Sequence, residues 1–168
     1  MLPPGGPARP LLASRSGECH PTLAPDGRWL AYVSDDSGSK EVYVRSYPRL
    51  DQLLQVSSGG GIEPLWSPDG ATLYFRRPGD GGTVLAASFS DQPTLQVGKP
   101  RTLFSLRHPD GSPRFYFGIA YGRMYDLAPD GRRFLMLEMV PEPPSTQVNV
   151  VLNWADELHR LAPPGSSS

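Results

Sequence analysis

Three aspartates of this chain recur in a single setting. Asp26, Asp69 and Asp130 each stand between a proline and a glycine, as Pro25-Asp26-Gly27, Pro68-Asp69-Gly70 and Pro129-Asp130-Gly131. A repeated carboxylate can act as a general acid, a base or a metal ligand. Pro-Asp-Gly, however, is turn chemistry first. Proline fixes φ near −65°, which suits the first central position of a type I turn. Aspartate tolerates the second, and its carboxylate accepts from backbone N–H groups nearby. Glycine then supplies the left-handed residue that closes a hairpin through a bulge. The three aspartates are therefore read as turn-formers.

The remaining candidates for chemistry are scattered. His20, His108 and His159 lie in unrelated segments without ligand spacing, and Cys19 alone cannot complete a zinc site. A single cysteine also rules out an intrachain disulfide framework and reads as a thiol beside a strand. A nucleophile elbow, Gly-x-Ser-x-Gly, does not occur in the chain. Asp35-Asp36-Ser37-Gly38 resembles part of a calcium loop but lacks its regular oxygen ligands and closing glutamate, and is read as a hairpin tip. No helix N-terminus follows Gly59-Gly60-Gly61 to hold a phosphate, so these glycines are read as a link between strands. No catalytic residue, cofactor site or metal site is expected. One cluster is of the type that carries interfaces: Arg114, Phe115, Tyr116, Phe117, Tyr121 and Arg123. It is the candidate interaction patch.

The elements that would position these residues follow from the repeat. The tripeptides are 43 and 61 residues apart. The first spacing matches a propeller blade of roughly 40–45 residues, and the second is one period with an insertion in 105–122. Flanking positions repeat too: Leu23, Trp66 and Leu127 lie two before the proline, and Ala24, Ser67 and Ala128 one before. A second strand after each turn is apolar on both sides: Trp29 to Val33, Leu73 to Phe75 and Phe134 to Leu137. Such a strand must be covered on both faces. Third strands are expected at Glu41–Arg45, Val84–Ala87 and Val148–Leu152, with outer strands at Leu53–Ser57 and about Arg101–Phe104. Leu11–Ser14 reads as the outer strand of a preceding blade. Pro109-Asp110-Gly111 lacks the flanks and reads as a plain loop.

Composition agrees with short strands and frequent turns. Of 168 residues, 20 are proline and 18 glycine, about twice ordinary usage, while 38% are apolar. The net charge is −1 and no basic block exists, so nucleic acid is not an expected partner. No run of about 18 apolar residues predicts membrane insertion. The first residues, Met-Leu-Pro-Pro-Gly-Gly-Pro, do not read as a signal peptide. The expected location is cytoplasmic as the chain stands, or periplasmic if a signal peptide lies upstream.

The stretch from Leu23 to Tyr32, with Glu41-Val42-Tyr43-Val44-Arg45, resembles the WD40-like Pro-Asp-Gly repeats of the TolB-type propeller family. So do Pro64 to Gly70 and Tyr125 to Leu135, and Val150 to Trp154 followed by Glu157-Leu158 resembles the end of many bacterial propellers. The resemblance covers roughly 9–159. It implies an all-β fold: a partial β-propeller of about three four-stranded antiparallel blades. Residues 1–8 would be a flexible start, 9–161 the blades (units at about 17–57, 61–104 and 123–159) and 162–168 a disordered tail. Propellers close with about 4–8 blades, so three form an open arc unless upstream sequence or oligomerisation completes it. The function it implies is non-catalytic binding of a protein or peptide, as the C-terminal part of a larger bacterial protein such as a Ser/Thr kinase or regulator. The alternatives are the gating propeller of an oligopeptidase-type hydrolase and a periplasmic TolB-like scaffold. Self-association through open blade edges is a further expectation.

Overall fold

A computed structural model describes residues 10–79, 82–108, 111 and 123–137. Every regular element among them is a β-strand. The first unit holds β1 (Glu18–Leu23), β2 (Trp29–Ser34), β3 (Glu41–Ser46) and β4 (Leu53–Gln55), antiparallel in chain order. The second holds β5 (Ile62–Trp66), β6 (Thr72–Arg77), β7 (Thr83–Ser90), β8 (Gln96–Val97) and β9 (Arg101–Ser105). Its order is β5-β6-β7, with β8 and β9 both paired to β7. The third is the hairpin of β10 (Tyr125–Leu127) and β11 (Phe134–Met136). The fold is all-β, a partial propeller whose blades stack face to face. The expected third strand of unit three, Val148–Leu152, lies outside the described residues.

The turns repeat bond for bond. The N–H groups of Gly27, Gly70 and Gly131 donate to the carbonyls of Ala24, Ser67 and Ala128 at 2.8, 2.9 and 2.8 Å. All three glycines have φ between 67° and 71°, a conformation costly for residues with a Cβ. Each aspartate then caps its turn: Asp26, Asp69 and Asp130 accept from the N–H of Arg28, Ala71 and Arg132 at 2.9, 3.0 and 3.0 Å. Gly111 N–H also donates to the His108 carbonyl at 2.9 Å.

The core lies between the first two sheets. Trp29, Ala31, Val33, Val42 and Val44 of unit one meet Trp66, Leu73, Phe75, Leu85 and Ala87 of unit two. Phe89 stands edge-on to Trp29 and Trp66, with centroids 5.4 and 4.8 Å away. Trp66 Nε1 donates to the Thr22 carbonyl at 3.3 Å, tying the two inner strands. A smaller cluster of Val84, Leu106, Leu103, Phe104 and Met136 joins unit two to unit three. Phe134 is edge-on to Tyr74 and Phe104 at 5.1 and 5.2 Å.

The structure corrects three of the sequence expectations. The third strand of unit two runs through Ser90 rather than stopping at Ala87, because Phe89 fills the space between the two tryptophans and the strand's end pairs with β8. The outer strand of unit one stops at Gln55 rather than Ser57. The Val56 and Ser57 N–H groups both turn to the Val42 carbonyl, at 2.8 and 3.4 Å, while Ser57 Oγ takes the Val42 N–H at 2.8 Å and Glu41 binds Ser57 Oγ and the Gly60 N–H, so the regular ladder ends there. Leu11–Ser14 is not a strand. It has no ladder partner among the described residues. Leu12 instead packs on Leu30, Tyr32 and Tyr43, while the following Ser16 and Gly17 bond to Asp36 and Asp35 at 2.8 and 2.7 Å.

Candidate functional site

The alternation of an antiparallel meander puts the Pro-Asp-Gly turns and the β3–β4 loop at one end of the stack. The β2–β3 tip and the link from β4 to β5 lie at the other. Two hollows open at the turn end. One, of about 350 Å³, is lined by Arg28, Trp29, Tyr47, Pro48, Arg49, Asp51 and Asp91 among others. Its neighbour, of about 290 Å³, is lined by Asp26, Trp29, Asp69, Phe89, Asp91 and Gln92 among others. They share Trp29 and Asp91 and so form one groove across the junction of the first two blades.

Asp91 organises this groove. Its carboxylate accepts from Trp29 Nε1 at 3.2 Å and from the Arg28 guanidinium. Arg28 also donates to Asp26 through Nε at 2.9 Å. Burial works to raise the Asp26 pKa, but the bonds from Arg28 outweigh it and hold the carboxyl below its ordinary value. Asp69 is held low by the Ser67 hydroxyl and then by the Ala71 N–H. Both acids stay charged at neutral pH and are already bonded, so they are poorly suited to donate or abstract a proton.

A second cluster sits where the inner strands meet. His20 and Glu63 lie five positions before Pro25 and Pro68, and both have left-handed backbones, φ 53° and 56°. Each marks a bulge in its strand pair. Glu63 binds Arg76 through both carboxylate oxygens, one at 3.2 Å from Nε, and both side chains are buried. Its Oε2 also accepts the Met124 N–H at 3.3 Å, and its carbonyl accepts the Tyr125 hydroxyl at 2.7 Å. Burial, and next the Glu63 charge, push the Tyr125 pKa strongly up. His20 is pushed down by burial first; Glu63 opposes this, while Lys40, Arg76 and Arg123 add to it. Neither imidazole nitrogen has a hydrogen-bond partner among the described residues. The arrangement locks unit three onto unit two.

Of the sequence-predicted patch, Arg114, Phe115, Tyr116, Phe117 and Tyr121 lie outside the described residues. Arg123 is described, and it works locally: Nε donates to the Tyr125 carbonyl at 3.0 Å and Nη2 to Asp126 at 3.3 Å. Sequence reading missed both the groove and the Glu63–Arg76 pair. The available signal for the pair was two opposite charges, 13 residues apart, each adjoining an apolar run. Among the described residues no group of three or more His, Cys, Asp or Glu could hold a metal ion. No helix there is long and apolar enough to cross a membrane.

No family model matches the chain. It is similar to the Tol-Pal system protein TolB of Alcanivorax borkumensis, 39% identical over 74 residues. That match spans 42% of this chain and only 17% of the relative. Among solved structures, TolB from Acinetobacter baumannii aligns with 82% of this chain and 40% of its own, at 17% identity and a TM-score of 0.46. A proposed 6-phosphogluconolactonase from Bacteroides uniformis aligns with 74% of this chain and 34% of its own, at 21% identity and a TM-score of 0.47. The chain, whose described strands form an all-β partial propeller, has a local sequence likeness to TolB.

Proposed function

We propose that the chain is a non-catalytic propeller module that binds a protein or peptide in the groove at its turn end. The observation that carries this reading is the composition of that groove. Trp29, Tyr47, Pro48, Arg28 and Arg49 line it beside Asp51 and Asp91. Arginine and aromatic side chains dominate the energetics of protein interfaces, and a rim of mixed charge sets orientation. The bonding of Asp26, Asp69 and Asp130 within their own turns supports binding over acid–base catalysis.

The likeness to TolB supports a scaffold role, and a periplasmic TolB-like scaffold is the version of this reading we favour. A sensory or scaffolding part of a kinase or regulator is the other version.

Selection of a random peptide library on the immobilised chain, followed by calorimetric titration of the enriched peptides, tests the reading. Enriched peptides should lose at least tenfold in affinity for the double variant Arg28→Glu, Arg49→Glu. If no peptide is enriched, or if the double variant binds as the parent does, the groove is not a binding site.

A further inference from the structure

The two hollows of the groove differ in character. The larger sets Arg28 and Arg49 against Asp51 and Asp91. The smaller, of about 290 Å³, has three carboxylates in its wall, Asp26, Asp69 and Asp91, and no lysine, arginine or histidine among its described lining residues. The rest of that wall is largely aromatic, with Trp29 and Phe89 edge-on at 5.4 Å. The three acids come from three segments: the turn of unit one, the turn of unit two and the end of β7. Like charges gathered around one space repel, and a cation placed among them relieves that repulsion. Arg28 supplies one such cation from the rim. Its guanidinium, on a side chain 58% exposed, spans Asp26 and Asp91. Three aspartates against one arginine still leave the hollow negative. Two acceptor atoms are also unused. Asp69 takes the Ser67 hydroxyl and the Ala71 N–H through Oδ1, and Asp91 takes Arg28 and Trp29 Nε1 through Oδ2. Asp69 Oδ2 and Asp91 Oδ1 accept no hydrogen bond among the described residues.

We propose that the smaller hollow receives an arginine side chain of the bound peptide, between Asp69 and Asp91 and against Trp29 and Phe89. The assignment rests on the groove being a peptide site, and it names the residue that the groove selects. Three independent features of the hollow agree on it: space for one long side chain, an aromatic wall and unused carboxylate oxygens. A guanidinium is a planar fork of five donors, so one group reaches two carboxylates on different segments. Its flat face also packs on aromatic rings and sheds water readily. The lysine ammonium is a compact, strongly hydrated charge and fits the same walls less well. Arg28 holds Asp26 and Asp91 in place. Losing it releases both carboxylates from that arrangement, so the double variant Arg28→Glu, Arg49→Glu weakens an arginine-bearing peptide as well.

Fluorescence titration with defined peptide pools tests it. The probes are labelled random hexapeptides with one position fixed as arginine, as citrulline (its neutral isostere), as lysine or as glutamate. The arginine pool should bind the parent about tenfold more tightly than the citrulline pool, with lysine between them and glutamate weakest. In Asp69→Asn/Asp91→Asn the gap between arginine and citrulline should shrink to about twofold or less. Asp35→Asn/Asp36→Asn removes the same charge at the opposite end of the stack and should keep the full gap. Circular dichroism verifies that both variants fold, and the citrulline comparison on the parent needs no variant. Equal binding of arginine and citrulline pools overturns the proposal. So does a gap that survives in Asp69→Asn/Asp91→Asn, or one that collapses as far in Asp35→Asn/Asp36→Asn. Pools that all bind alike, and lose affinity in Arg28→Glu/Arg49→Glu, leave the groove standing and remove only the arginine assignment. Pools that all fail to bind remove both.

Discussion

The Tyr125 hydroxyl donates to the main-chain carbonyl of Glu63 across 2.7 Å, with the tyrosine buried. One bond thus ties the first strand of unit three to the bulge in the first strand of unit two. Tyr125→Phe leaves that carbonyl without its donor. Unfolding in urea should show a loss of about 1–3 kcal/mol, the cost of an unsatisfied buried group. An unchanged midpoint would mean that unit three docks without this bond.

Arg76 neutralises Glu63 inside the same junction. Removing one partner strands a buried charge, so Arg76→Met should cost about 3–5 kcal/mol. Adding Glu63→Gln should return part of that loss, because the uncompensated carboxylate is gone. Denaturant midpoints of the single and double variants check both statements.

Gly27 has φ +70° and open space around the position of a Cβ. A substitution there meets backbone strain and no steric clash. Gly27→Val should lose on the order of 1–3 kcal/mol, and Gly27→Asn less, since asparagine tolerates the left-handed region. Thermal melts of the pair test the turn assignment; equal melting of Val and parent would refute it.

The turns were legible in the sequence because their causes are local. Proline, aspartate and glycine each have a reason to occupy one place, and the 43-residue repeat confirmed the reading. The apolar middle strands were legible for the same reason. The Glu63–Arg76 pair was not, because it depends on bulges at His20 and Glu63 that re-aim the side chains. Neither histidine nor glutamate announces a left-handed backbone. The arm made by β7 and β8 was hidden too, since Phe89 extends its strand to reach two tryptophans distant in sequence. Leu11–Ser14 has the composition of a strand, and only the absence of a ladder partner in the described structure shows it to be a strap over Leu30 and Tyr43.

His20 sets a pH dependence whose sign is fixed. Its folded pKa lies below the ordinary 6.5 because burial opposes the charge. Between the two values the unfolded chain binds more protons, so stability falls as pH drops below about 6.5 and recovers above it. Asp26 and Asp69, with lowered pKa values, contribute stability that is lost only as pH falls below the ordinary 3.8. His20→Asn, which suits the left-handed φ, should flatten the decline between about pH 7 and pH 5. Urea midpoints across that range check it; an unchanged slope would exclude His20 as its source.

The binding reading is tested most directly by amide hydrogen exchange with and without a peptide enriched by the chain. The groove account predicts new protection in 46–52 and 89–92, at the end that carries the Pro-Asp-Gly turns. Protection confined to 35–40 and 57–61, at the opposite end, would contradict it.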